Sequence, residues 1–390
     1  MGGPLSGVRV LDVTHLLAGS YCSLLLADMG ADVVKVERPG GDTGRGPPGA
    51  DGFGPANRNK RSIVVDLQHN EGRAVAQRLA DRADVLVENY RPGVLDRLGL
   101  GYETLSQRNP TLVYCSISGF GGTGPDRDRG GFDLVAQGIS GLMSVTGEPD
   151  GQPVKVGVPI ADLNAGTFGA LGVVSAYVER LRSGRGQRVD TSLLEGALAY
   201  TVWESASFFA SGVAPGATGS AHRLTAPYQA FPTADGWINI GAANQATWER
   251  LTAALGADDL GADPRFATPF HRLRNRAELA EFLAPVLATA TTAVWLDRLA
   301  AAGVPAGPIY DLAQTWGDPQ VLARGMLVEA PTVHGTGRFI GPPVKLSATP
   351  WAVDRGVPAP GADTRAVLVE AGFGDDEVDR LAAARVVVDA

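Results

Sequence analysis

Short apolar runs recur along the first third of the chain. VRVLDV (8–13), ADVVKVE (31–37), RSIVVDL (61–67), DVLVEN (84–89) and TLVYCSIS (111–118) each have strand length and are bounded by polar residues or glycine. Helix-period segments lie between them. SYCSLLLADMG ends at Gly30, and EGRAVAQRLADRA has Asn70 as its expected cap. Strands separated by helices of this length form parallel βαβ units, so the pattern predicts a doubly wound α/β sheet. After Arg188 the rhythm changes. Residues 192–212 read as one long helix, 211–224 as a Gly/Ala-rich connector, and QAFPTADGWINIGA as a hairpin turning at Asp235-Gly236. Helices are expected at 245–255, 276–289 and 291–302, giving a smaller α+β lobe. A strand pair around His334-Gly335 and short helices at 363–371 and 375–385 close the chain.

Composition narrows the function classes. The 390 residues are 44% hydrophobic and 19% charged, enough for a large core without a metal or disulfide staple. Cys22 and Cys115 sit in apolar segments and read as small core residues, and with no signal peptide in view they point to a reducing cytoplasm. No run approaches the ~20 apolar residues of a membrane span, so no membrane partner is expected. A net charge of −8 argues against nucleic acid, whose binders carry a basic excess.

Few motifs stand out. GFGGTG (119–124) fits G-x-G-x-x-G after a strand, but Pro125 and a charged run follow where a helix should open, and no acidic residue lies at a second strand end. An NAD enzyme is disfavoured, and a turn over a site is the preferred use. None of the five histidines has metal-ligand spacing, and no permanently bound cofactor is expected. His69 and His271 read as surface residues. His15 differs because it lies in the loop after the first strand, where open α/β sheets place ligands. Arg38, Lys60, Arg61, Arg91 and Arg97 recur at strand ends. Together they predict a basic edge in an acidic protein, suited to a phosphate-bearing ligand.

Asp162 follows Pro159 at the start of a small-residue helix. A carboxylate in the first turn is favoured by the helix dipole, which predicts an ionised side chain. As residue chemistry alone, a helix cap is its commoner role. The glycines nearby let a bulky ligand approach the backbone, so a nucleophile stays open.

The chain also resembles a known family, the class III (CaiB/BaiF, formyl-CoA transferase-like) CoA-transferases. The matching stretches include GVRVLDVTHLLAGSYCSLLLADMGADVVKVERPGGDTGR, NRNKRSIVVDL, DVLVENYRPGVLDRLGLGYETL, YCSISGFGGTGP, PIADLNAG, RSGRGQRVDTSLLEGAL and ATGSAHRLTAPYQAFPTADGWINIGAAN, in this order over essentially the whole length. The resemblance implies an interlocked homodimer with a large Rossmann-like domain built from both chain ends. On this sequence the large domain's first part is expected over 1–210, a linker over 211–227, the small domain over 228–322, and the return over 323–390. It implies CoA contacts at His15, Ala18, Arg38, Val65, Leu67, Asn89, Tyr90, Arg97 and Leu98, and a covalent catalytic carboxylate at Asp162. The implied partners are an acyl-CoA and a small carboxylate acceptor, and Gly216–Ser220 falls where the family has a mobile flap.

Two departures refine the resemblance. Racemases of the family carry Gly-His-Asp where this chain has Gly131-Phe132-Asp133, and epimerisation needs an acid or base that phenylalanine cannot supply. A 2-methylacyl-CoA racemase is therefore the disfavoured alternative, and a non-enzymatic CoA-binding protein is another. Leu17 replaces the glutamine of formyl-CoA transferases, which weakens a formate or oxalate assignment. Motifs at 119–125 and 228–244 resemble the branch that uses succinyl-CoA with short dicarboxylates. Arg45 and Arg223 are candidates to hold a second carboxylate.

Overall fold

The computed structural model describes residues 2–47 and 49–389. Its strands are β1 (Arg9–Asp12), β2 (Asp32–Glu37), β3 (Lys60–Val65), β4 (Val85–Glu88), β5 (Val113–Ser118), β6 (Arg188–Ser192), β7 (Tyr228–Pro232), β8 (Trp237–Gly241), β9 (Ala306–Pro308), β10 (Leu327–Thr332), β11 (Gly335–Ile340) and β12 (Val387–Val388). The seven-stranded sheet has the order β12-β3-β2-β1-β4-β5-β6, parallel except for β12. The chain winds outward from β1 through β2 to β3, then crosses back to β4 and winds the other way. The gap between the β1 and β4 ends is thus the topological switch point, where open α/β sheets form a crevice.

Two apolar layers cover this sheet. On one face the helices Asn70–Ala80, Thr364–Glu370 and Asp375–Ala383 bury Val75, Leu79, Leu368 and Leu381 against Ile63 and Leu86. On the other, Ala18–Asp28 and Ile160–Ser183 bury Cys22, Leu26, Ala165 and Val173 against Val10, Val113 and Cys115. Both cysteines are free and buried, as packing residues. The sheet, its helices and the β10–β11 hairpin form one compact unit of 2–142, 155–209 and 319–389. The second unit comprises 143–154 and 210–318. There β7, β8 and β9 pair antiparallel, and Trp248, Trp295, Phe231 and Leu283 fill the core. No single helix among the described residues is long and apolar enough to cross a membrane.

Several local expectations are corrected. Residues 192–212 form two helices, Leu193–Leu198 and Val202–Ser211. The Thr201 hydroxyl donates to the Leu198 carbonyl at 2.9 Å and pairs with Ser205 Oγ at 2.8 Å, so local side-chain bonding breaks the helix there. His69, not Asn70, caps the following helix, its Nδ1 accepting the Glu71 N–H at 3.2 Å. Strand β6 escapes a period-based reading because RVDTS is polar, as an edge strand tolerates.

Candidate active site

The switch point holds a cavity of about 480 Å³ in the first unit. The loop after β1 contributes His15, Leu16, Leu17 and Ala18, and the loop after β4 contributes Asn89, Tyr90 and Arg91. The β5 loop adds Arg129, Gly130 and Phe132, and Asp162 enters from the helix start. A reciprocal clasp joins the first two loops. The Asn89 Oδ1 accepts the His15 N–H at 2.9 Å, and its Nδ2 donates to the His15 carbonyl at 2.8 Å. The Tyr90 ring meets the His15 ring edge-on at 4.9 Å. Burial pushes the His15 pKa down, so the imidazole is neutral at pH 7. Leu16 holds the left-handed φ of 57°, a costly backbone state for a leucine, on the wall of this cavity.

Beneath the β1 loop lies a fully buried ionic network. Asp12 receives Lys60 Nζ at 2.9 Å, Lys35 Nζ at 3.4 Å, Ser23 Oγ at 2.5 Å and Thr14 Oγ1 at 2.6 Å. Lys35 also donates to the Thr14 carbonyl at 2.7 Å and pairs with Asp42 at 3.6 Å. Burial alone would raise the Asp12 pKa, but the two lysines hold it well below the ordinary carboxylate range. The residue before His15 is thereby anchored from below.

Asp162 has the opposite surroundings. It is not the helix cap that residue chemistry favoured. The Asp133 Oδ1 takes the Ala161 N–H at 2.8 Å, while Asp162 accepts no hydrogen bond from any described residue. Asp133 is itself held, its Oδ2 accepting Gln137 Nε2 at 2.7 Å, and Gln137 Oε1 accepts the Val156 N–H at 2.9 Å. Burial, and then the negative charge of Asp133, push the Asp162 carboxyl up to about 6. The helix dipole favours ionisation but does not outweigh these two effects, so the low pKa expected of a first-turn carboxylate is not found.

The glycines after Asp162 serve packing, not ligand approach. A Cβ on Gly166 would lie 2.6 Å from the Ala18 carbonyl oxygen, so this glycine lets the 160–183 helix press against the start of the 18–28 helix. In GFGGTG two of the amides are taken by the protein. Ser118 Oγ accepts from Gly121 at 2.9 Å and Asp190 Oδ2 from Gly122 at 3.1 Å, which removes these two donors from any phosphate-binding nest.

The expected basic edge is only partly assembled. Lys60 is spent in the Asp12 network. Arg61 lies at the opposite end of the sheet, paired with Asp32 at 2.6 Å and Glu370 at 2.7 Å. Arg45 is committed as well. It forms a bidentate pair with Glu37 at 2.7 and 2.6 Å, donates to the Pro358 carbonyl and stacks on Phe53. Arg223 belongs to the second unit and donates to the Gly216 carbonyl at 2.7 Å. Among the described residues no group of three or more His, Cys, Asp or Glu side chains is arranged to hold a metal ion.

The family described as CoA-transferase family III matches residues 5–364. This chain belongs to that family. It is 40% identical over 381 residues to a protein of Agrobacterium fabrum named succinate–glutarate CoA-transferase, covering 94% of this chain and 95% of that one. It is 39% identical over 401 residues to one of Chloroflexus aurantiacus named succinyl-CoA–D-citramalate CoA-transferase, covering 98% of each. A crystal structure of a CAIB/BAIF family protein from Brucella suis matches with a TM-score of 0.86 at 38% identity, over 95% of this chain and all of that one.

Within this family III chain, the expected positions fall into two groups. His15, Ala18, Asn89, Tyr90 and Asp162 line one cavity. Arg38, Val65, Leu67, Arg97 and Leu98 do not line it. Arg38 is exposed and donates to the Gly41 carbonyl at 3.2 Å, while Leu67, Leu98 and Tyr90 share one apolar cluster with buried Val65. Sequence reasoning missed Asp133 and Gln137 as the groups that fix the start of the Asp162 helix. An aspartate opening an apolar segment with glutamine four residues on was the available signal.

Proposed function

We propose that this protein moves CoA from a dicarboxylic acyl-CoA such as succinyl-CoA to a second small carboxylic acid, with Asp162 as the covalent carboxylate. The observation that carries the reading is the Asp162 side chain, half-buried, facing a cavity and given no hydrogen-bond donor. A carboxylate stripped of donors keeps its electron density for attack, and a carboxyl raised to about 6 remains mostly ionised at pH 7 while being more basic than an ordinary aspartate.

An Asp162 oxygen attacks the donor thioester carbonyl, the C–S bond breaks, and CoA leaves as thiolate with a mixed anhydride on the enzyme. The thiolate then attacks the aspartyl carbonyl and releases the donor acid as its carboxylate, leaving an aspartyl-CoA thioester. The acceptor carboxylate displaces thiolate to form a second anhydride. Attack of that thiolate on the acceptor carbonyl yields the new acyl-CoA and restores Asp162. One thioester is exchanged for another, so no outside energy source is needed. The anhydrides demand that water be kept away. The names of the two curated relatives support the dicarboxylate side of the reading.

The reading extends to a homodimer. None of the residues of the Val202–Ser211 helix is buried in one chain, and Trp203 and Phe209 are 63% and 80% exposed, an apolar face suited to a second copy. Light scattering is expected to return twice the chain mass.

Incubation with succinyl-CoA followed by hydroxylamine should leave a hydroxamate on Asp162, and Asp162→Ala should lose both the adduct and transfer. Undiminished transfer by Asp162→Ala would sink the mechanism. Exposed Phe132 beside Asp162 supplies no second acid or base, so no deuterium exchange at the α-carbon of a 2-methylacyl-CoA is expected.

A further inference from the structure

With Arg45 committed to Glu37, the question of what could hold a second carboxylate moves into the Asp162 cavity itself. Among the described residues lining it, the charged side chains are Asp162, Arg91 and Arg129. Arg129 is already engaged, with Asp126 Oδ2 at 3.0 Å and the Phe120 ring at 5.0 Å. The Arg91 carbonyl accepts the Val94 N–H at 3.1 Å, but its guanidinium makes no hydrogen bond or ion pair with any described residue. It also lines an adjoining polar cavity of about 210 Å³ with Glu88, Asp96 and Arg188, yet no carboxylate there comes within ion-pairing distance of it. Burial pushes the Glu88 carboxyl up to about 7, so even that neighbour carries only part of a charge at neutral pH.

The backbone makes room for this guanidinium. A Cβ built on Gly130 would sit 2.6 Å from Arg91 Nη2 and 3.1 Å from Cζ, so the arginine lies against bare main chain at a wall shared with Phe132 and Asp162. The rest of the wall includes Leu17, Val94, Ile117 and Leu193. A nucleophilic carboxylate, an apolar stretch and an uncommitted fork of N–H donors match an aliphatic diacid, one carboxyl at the reaction and the other gripped.

We propose that Arg91 binds the distal carboxylate of the dicarboxylic acid whose other carboxyl reacts at Asp162. This rests on the transfer reading above and names its specificity residue. A guanidinium could equally grip a CoA phosphate, which is the same anionic chemistry from another source. The diacid is favoured because Arg91 shares the wall of the Asp162 cavity, whereas Arg38 and Arg97 lie off it.

The test uses butyryl-CoA as a donor without a distal charge, and compares glutarate with the monoacid butyrate as acceptors, the latter followed by isotope exchange. Wild type is expected to prefer glutarate. Arg91→Met should lower the glutarate-to-butyrate ratio of kcat/KM by about 10- to 100-fold, as loss of a charge-assisted hydrogen bond does, with CoA affinity by calorimetry unchanged. Arg91→Lys should recover part of the ratio. Gly130→Ala keeps the charge but pushes the guanidinium aside, and should lower the ratio by a smaller factor. An unchanged ratio in Arg91→Met, or a wild type indifferent to the second carboxylate, overturns the assignment. Weakened CoA binding with an unchanged ratio overturns it in favour of a phosphate contact. Hydroxylamine trapping on wild-type Asp162 separates the two levels, because its absence refutes the transfer reading and its presence with an unchanged ratio refutes Arg91 alone.

Discussion

Asp12 and Asp162 are two carboxylates on neighbouring walls of one sheet end, and their surroundings are opposite. Asp12 is fully buried, yet two lysines and two hydroxyls satisfy it, and it stays ionised far below neutral pH. Asp162 is less buried, yet it has no donor, has Asp133 beside it and is pushed up to about 6. Burial depth therefore does not mark the reactive group. Compensation does. The first carboxylate spends its charge holding a loop, and the second keeps its charge for a substrate.

The same substitution should move the two in opposite directions. Asp12→Asn leaves Lys35 and Lys60 buried together without the carboxylate they share, and is expected to cost about 3–5 kcal/mol, read as a fall in thermal midpoint. Because the Asp12 pKa is depressed on folding, its contribution is complete above the ordinary carboxylate pKa and is lost as pH falls below it.

Next in size is Gly166→Ala. A methyl group at 2.6 Å from the Ala18 carbonyl forces the two helices apart, with an expected loss of about 1–3 kcal/mol by denaturant titration. A crystal structure of this variant should show the Ala18 end of the cavity displaced.

Asp162→Asn should instead stabilise the protein at pH 7 by about 2 kcal/mol while abolishing transfer. The sign follows from the raised pKa. The folded chain holds this proton more tightly than the unfolded one, so ionised Asp162 costs stability above about pH 6 and nothing below the ordinary carboxylate pKa. A variant no more stable at pH 7 than wild type would remove the contrast between the two sites.

The finest probe is Asp133→Asn. Asparagine keeps an oxygen for the Ala161 N–H but removes the charge. The acidic limb of kcat/KM, expected near pH 6 in wild type, should move down by about one unit. If the limb stays in place, burial alone sets the Asp162 pKa.

Much of this architecture was legible in the sequence because apolar runs such as VVKVE and VLVEN have no other use than a buried parallel sheet. The site was less legible, for reasons of reach. Whether Asp162 caps its helix depends on Asp133, 29 positions earlier in the chain, and no local pattern reports that competition. Charges at strand ends carry no sign of which end of the sheet they occupy, so Lys60 and Arg61 looked like companions of Arg38 and Arg97. Arg45 looked available because Glu37 was read only as the last residue of a strand. Arg91 was visible from the start, but its lack of an acidic partner is a fact of three dimensions.

The Asn89–His15 clasp has a consequence for how such a chain can change over time. One amide ties together two loops that stand 74 positions apart, and it does so at the centre of the sheet. A surface excursion in the loop between β2 and β3, clear of Asp42 and Asn57, would leave that tie in place. Selectivity and scaffold are thereby free to diversify on separate schedules, so long as that single asparagine survives.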